Sequence, residues 1–152
     1  MASLVYNTAK KEIMDGTIDL GVDVIKVMLV TSSYVANADH LFVDEAGAND
    51  PIDHELTGTG YVAGFAGAGR KTLASKTFTA DLANDRAEFD VADVVWTAIT
   101  AGTAAAFIVY KHLTSDAASR LIAYVDTGGF PLVTNGGDLT IQVNAEGLLH
   151  LT

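Results

Sequence analysis

The sequence predicts a mainly β protein, an antiparallel β-sandwich or partly closed, jelly-roll-like barrel with a short N-terminal helix. Three observations lead there. The half of the chain after Tyr61 is a succession of short alternating segments separated by turn residues. No helical pattern lies between those segments, which disfavours a doubly wound parallel fold. The clearest helical spacing is at the start, where Val5, Ala9 and Ile13 recur one turn apart.

Taken in order, Ser3 to Asp15 is expected to form that helix, with Ser3 as N-cap and Gly16 as the stop. The run Val22 to Thr31 is β-branched and apolar on both sides, as in a strand covered on both faces. Asn37 is placed to cap a short helix through Asp44, turning Ala38, Leu41 and Phe42 inward. Asp44 to Gly60 is acidic and turn-rich and is expected to be mostly exposed loop. In TLASKTFTADL, Leu73, Thr77 and Thr79 share one face, and Ala74 and Phe78 the other. A turn at Ala83-Asn84-Asp85 leads to RAEFDV, which sets Ala87, Phe89 and Val91 opposite Arg86, Glu88 and Asp90.

Three more strands are expected in VVWTAIT, AAFIVYKHL and RLIAYVDTG, the last two paired as a hairpin across the polar connection Asp116 to Ser119. Asn135-Gly136-Gly137 is a turn, because Asn and Gly accept positive φ at little cost. DLTIQVN and GLLHLT close the chain. Trp96, Phe89, Phe107, Tyr110 and Tyr124 fall inside these segments and are read as core, with an interface anchor the alternative for Trp96. No internal repeat or composition boundary divides residues 1–152, which are read as a single domain long enough for a sizeable core.

Composition narrows the function. With 19 acidic and 9 basic residues the net charge is −10, and a surface of that sign repels phosphate backbones, so no direct nucleic-acid binding is expected. Acidic character suits docking on a basic protein surface. The chain has no cysteine, which excludes disulfides, thiolate zinc sites and Cys nucleophiles. No basic region followed by a long apolar stretch opens the sequence, and no apolar run is long enough for a bilayer, so neither signal peptide nor membrane partner is expected.

Four constellations bear on chemistry. Gly64 to Thr72 approaches a phosphate-binding P-loop, but Arg70 stands between the final Gly and Lys71, and a strand pattern follows where a helix is required. Asp44, Glu45, Asp50, Asp53 and Glu55 offer the hard oxygens calcium prefers, without EF-hand spacing, and are read as solvated carboxylates. His40, His54, His112 and His150 are far apart and read as surface or strand-end residues. No serine lies in a nucleophile elbow. The reading is therefore of a non-enzyme, with no catalytic, cofactor-binding or metal-binding residue and no cofactor.

One further pattern lies in the order of segments. KKEIMDG (10–16) precedes IKVMLV (25–30), then TGTGY (57–61), NDRAEFD (84–90) and VWTA (95–98). FIVYK (107–111), LIAYVD (121–126), NGGDLTI (135–141) and NAEGLL (144–149) follow. Over nearly the whole chain this order resembles a family of small structural proteins of tailed bacteriophages and prophages. The chain departs from the pattern in the long acidic loop before Leu56 and the Gly/Ala insertion between Tyr61 and Lys71, both expected to be loops. The resemblance implies a virion protein made in the host bacterial cytoplasm. It would be a head decoration or cement protein that binds the major capsid protein and stabilises the head, as a homo-oligomer, dimer or trimer. The alternatives are a tail, adaptor or fibre-associated subunit bound to tail proteins, and a carbohydrate- or ligand-binding module. The resemblance carries no site residue with it.

Overall fold

The computed structural model of the protein describes residues 2–46 and 49–151. Twelve strands and one α-helix are formed among them. Strand β1 (Leu4–Val5) leads into helix α1 (Asn7–Met14), and β2 (Ile25–Val30) follows. A 3₁₀ turn at Ile52–His54 precedes β3 (Lys71–Thr72), β4 (Thr77–Asp81), β5 (Arg86–Asp90), β6 (Val94–Trp96) and β7 (Thr103–Ala104). The chain ends with β8 (Ala106–Lys111), β9 (Arg120–Val125), β10 (Leu132–Val133), β11 (Leu139–Ile141) and β12 (Leu149–Leu151).

The central sheet has five antiparallel strands in the order β1-β9-β8-β2-β3. The smaller sheets are β10-β7, β11-β6 and β12-β5-β4, again antiparallel. One hydrophobic cluster draws residues from all four, including Val27 and Ile108 of the central sheet, Trp96, Ala104 and Phe89. The architecture is thus sheets packed on a shared core, and none of them closes into a barrel. In β2 every residue but Lys26 is buried, as expected of a strand covered on both faces. It begins only at Ile25: Val22 and Val24 are 82% and 49% exposed, and Asp19 turns the preceding loop by accepting from the amides of Gly21 and Val22. β8 and β9 form the expected hairpin, with a register shift between Val109 and Tyr110.

Several expectations are corrected. Ser3 does not cap a helix. Leu4 and Val5 pair with Tyr124 and Ala123 at the edge of the central sheet, the Ser3 hydroxyl accepts from the Asp126 amide, and the helix starts at Asn7. Tertiary sheet pairing outweighs the weak gain of extending a short helix by one turn. Gly16 does lie just past the helix end, in the left-handed region at φ +77°. No helix forms from Asn37 to Asp44: the Asn37 side chain closes a local turn by accepting from the Asp39 amide, and Phe42 bridges to Arg120.

TLASKTFTADL is two strands, broken where Ser75 takes a positive φ of 53°. VVWTAIT stops at Trp96, and the chain turns through Ala98 at φ +49°, whose amide donates to Asp138. Asn135 to Gly137 turns as expected but joins strands of different sheets, β10 and β11. In β5 the faces alternate as predicted, yet Ala87 is exposed while Arg86 and Glu88 are half-buried in mutual ion pairs.

Trp96 is core, with no exposed surface. Its indole packs 6.4 Å from the Tyr61 ring and donates its N–H to the Gly69 carbonyl. Gly60, at φ +79°, closes the TGTGY segment against residues 98 and 99, where a Cβ would stand 2.6 Å from the Ala98 carbonyl oxygen. Replacing Trp96 with Phe keeps most of the packing but leaves that buried carbonyl without its donor. A loss of about 1–3 kcal/mol in unfolding free energy is expected, read by urea denaturation followed by circular dichroism.

Candidate functional site

Two features stand out once the side chains are in place: a buried charged cluster and an open apolar groove. The cluster is built on Arg70, the residue that spoils the P-loop spacing. Its side chain has no exposed surface and binds Glu55 through two nitrogens, Nε to Oε1 at 2.9 Å and Nη2 to Oε2 at 2.7 Å. Nη1 donates to Asp116. Glu55 also accepts from the Tyr61 hydroxyl at 3.1 Å and the Gly64 amide at 2.9 Å, and the Tyr61 oxygen in turn accepts from the Leu29 amide.

Burial by itself would lower the Arg70 pKa, but the hydrogen bonds and charges of Glu55 and Asp116 raise it above the ordinary value, so the guanidinium stays charged. Beneath it the Tyr110 ring lies 5.7 Å away. The phosphate-loop reading is excluded by this arrangement, since Arg70 faces carboxylates and strand β3 follows it. Gly69 is there to let the chain pass the Tyr61 ring, where a Cβ would meet ring carbons at 2.6 Å.

The acidic segment is less exposed than its composition suggests. Asp50, Pro51, Glu55 and Leu56 are buried, and Glu55 bridges to Val30 alongside β2. Glu45 accepts from the Leu41 amide and Asp50 from the Glu45 amide, so these carboxylates brace the loop. Gly47 and Ala48 of that stretch lie outside the described residues. The polar connection from Asp116 to Ser119 has both of those residues buried because it faces Arg70 and the segment at Val43 and Asp44.

Among the described residues no group of three or more His, Asp or Glu side chains is placed to hold a metal ion. The histidines stay apart in role. His40 bonds Tyr34, whose hydroxyl also meets Tyr6 at 2.8 Å. His54 meets Asn49, and His150 the Glu146 carbonyl. His112 stacks on Phe65 at 4.7 Å and is held below its ordinary pKa by burial and by Lys26 and Arg70. No helix among the described residues is long and apolar enough to cross a membrane.

The groove is the larger feature, about 660 Å³, between helix α1 and the sheet β12-β5-β4. Its cause is the strand period. Residues directly opposite one another share a face, so Phe78, Phe89 and Leu149 form one row and Ala80, Ala87 and Leu151 the next. Thr79, Glu88 and His150 point the other way. Across the groove stand Ile13, Met14 and Leu20. Phe89 and Leu149 are buried, but Phe78 is 59%, Leu151 60% and Met14 79% exposed. Sequence periodicity identifies the apolar face of each strand; it does not tell that the face would be left open.

No family model, no curated protein and no solved structure matches the chain.

Two outcomes follow from the cluster and from the tyrosines. Arg70→Met removes the counter-charge of two buried carboxylates and is expected to cost about 3–5 kcal/mol in urea unfolding. All five tyrosines are shifted upward, chiefly by burial, Tyr34 and Tyr110 to about 12 from an ordinary 10.0. A folded phenol therefore keeps a proton that an unfolded one loses. This contribution to stability is intact below about pH 10 and falls as the pH rises from there toward 12. Absorbance titration should show the tyrosines ionising cooperatively with alkaline unfolding, not as five independent groups near pH 10.

Proposed function

We propose that the chain is a structural protein of a tailed-phage particle, a head decoration protein that binds the major capsid protein lattice and stabilises the shell. The observation that carries this reading is the ordered series of segments, from KKEIMDG to NAEGLL, that resembles phage virion proteins over nearly the whole chain. The work those segments do in the fold supports it. TGTGY docks a loop through Gly60 and Tyr61, VWTA supplies the central Trp96, and NDRAEFD makes the β4-β5 hairpin. These are scaffold functions, as suits a protein whose task is contact area.

The surface fits the same reading. Large hydrophobic side chains stand exposed at several places, among them Val35, Leu82 and Val133 at 68%, 86% and 72%, and a carrier of charge −10 favours a basic docking surface. Repeated copies on a lattice multiply weak contacts through effective concentration. A glycan-binding alternative asks for exposed aromatics near the acidic segment, but Tyr34 is buried and Phe42 lies under Arg120 at 4.4 Å.

The test is co-sedimentation of the purified protein with expanded capsids at near-physiological salt, with gold-labelled antibody on intact particles. Saturable binding and head labelling are expected. No binding to capsids would sink the decoration role, and labelling confined to the tail would assign the chain to the tail instead.

A further inference from the structure

We infer that β4 is a self-association edge, through which two copies of this chain pair their three-stranded sheets into one six-stranded sheet about a twofold axis. The inference rests on the geometry of β4 and holds whatever the place of the chain in a particle.

β4 is hydrogen-bonded to β5 on one side, and on the other it meets no strand among the described residues. An unpaired strand edge presents a row of free N–H and C=O groups, and proteins that stay monomeric blunt such edges by shortness, an inward charge, proline or a bulge. The other edge strands are blunted by length: β1 and β3 have two residues each and β12 three, against five in β4. β4 has no proline and no register shift, and its middle residues Phe78, Thr79 and Ala80 are uncharged. Charges stand only at its last residue and just before its first, and both are engaged. Lys76 donates to the Asp23 carbonyl, and Asp81 pairs with Arg86 at 3.2 Å.

The face that goes with this edge names the occupant. A twofold axis normal to the sheet runs the second β4 antiparallel while keeping each side chain on its own face. Phe78 and Ala80 of both copies then lie on one apolar surface, and the open rows beside the groove become continuous across the axis. A strongly charged partner finds nothing to select it, because the rows beside the edge, Phe78-Phe89-Leu149 and Ala80-Ala87-Leu151, carry no charge. The excess negative charge of the chain lies elsewhere and is screened beyond about 8 Å at physiological salt. A second copy supplies a neutral strand of matching period, with exposed Leu82 at the hairpin tip to extend the contact.

The test is sedimentation velocity of the full chain from about 1 to 100 μM, with hydrogen exchange on the same samples. A species of twice 15.9 kDa is expected, strengthened by added salt, with slowed exchange at Phe78 to Ala80. Thr79→Lys places a cation beside Glu88 on the polar face, and Ala80→Asp a carboxylate on the apolar face; both positions are exposed, so the monomer should keep its circular dichroism. Each variant should weaken association tenfold or more, while Val133→Asp on sheet β10-β7 leaves it unchanged.

A single 15.9 kDa species throughout overturns the inference, as does a trimer or a dimer that both β4 variants leave intact. A monomer whose capsid binding is lost in Ala80→Asp overturns it too, and assigns the edge to the capsid protein. Dimerisation without capsid binding leaves this inference standing and removes only the decoration role.

Discussion

Arg70 holds together the parts of this molecule that regular secondary structure does not. Three irregular segments converge on its guanidinium: the end of the acidic stretch through Glu55, the Gly-rich loop through the chain just before β3, and the β8-β9 connection through Asp116. None of the three has a ladder of its own to satisfy it. Burying a charge is costly unless it is paired and hydrogen-bonded. Glu55 accepts from Arg70, Tyr61 and Gly64, and Tyr61 passes the constraint on to the β2 backbone at Leu29. One buried ion cluster thereby ties three loops to the central sheet.

Around that cluster the aromatic residues set the spacing between layers. Tyr61 lies between Glu55 and Trp96, and the Trp96 indole in turn grips the Gly69 carbonyl, one residue before Arg70. The loop that brings Arg70 to its partners is thus held from both sides, by an ion cluster and by an aromatic hydrogen bond. A third constraint is steric, because no side chain fits at residue 69 beside the Tyr61 ring. Glycine there belongs to the packing.

The far side of the molecule is organised on a different principle. The sheet β12-β5-β4 reaches the core through Phe89 and Leu149, and its outer part extends past the core with an apolar face uncovered. On its polar face Arg86 stands between Asp81 and Glu88 and pairs with both. The inner ion cluster is enclosed by its own partners, whereas the outer sheet leaves an apolar face open. The virion proposal starts from the order of sequence segments and the sheet-pairing inference from an unpaired strand of this outer sheet.

Much of the fold was legible in the sequence because period and turn chemistry are local. The alternation in RAEFDV, the AAFIVYKHL and RLIAYVDTG hairpin, the turn at Asn84-Asp85 and the helix end at Gly16 each depend on residues within a few positions of one another. What the tertiary structure alone decided was long-range. Leu4 and Val5 became a strand because β9, more than a hundred residues later, offered an edge. Asp116 and Glu55 became buried ligands of Arg70 because topology brought three loops to one point, where composition by itself marks each as a solvated charge. The sequence by itself determined which side of each strand is apolar. Only the packing decided that the face bearing Phe78 and Leu151 would find no partner within the chain, because burial depends on what another part of the molecule places opposite a surface, and strand period carries no record of that.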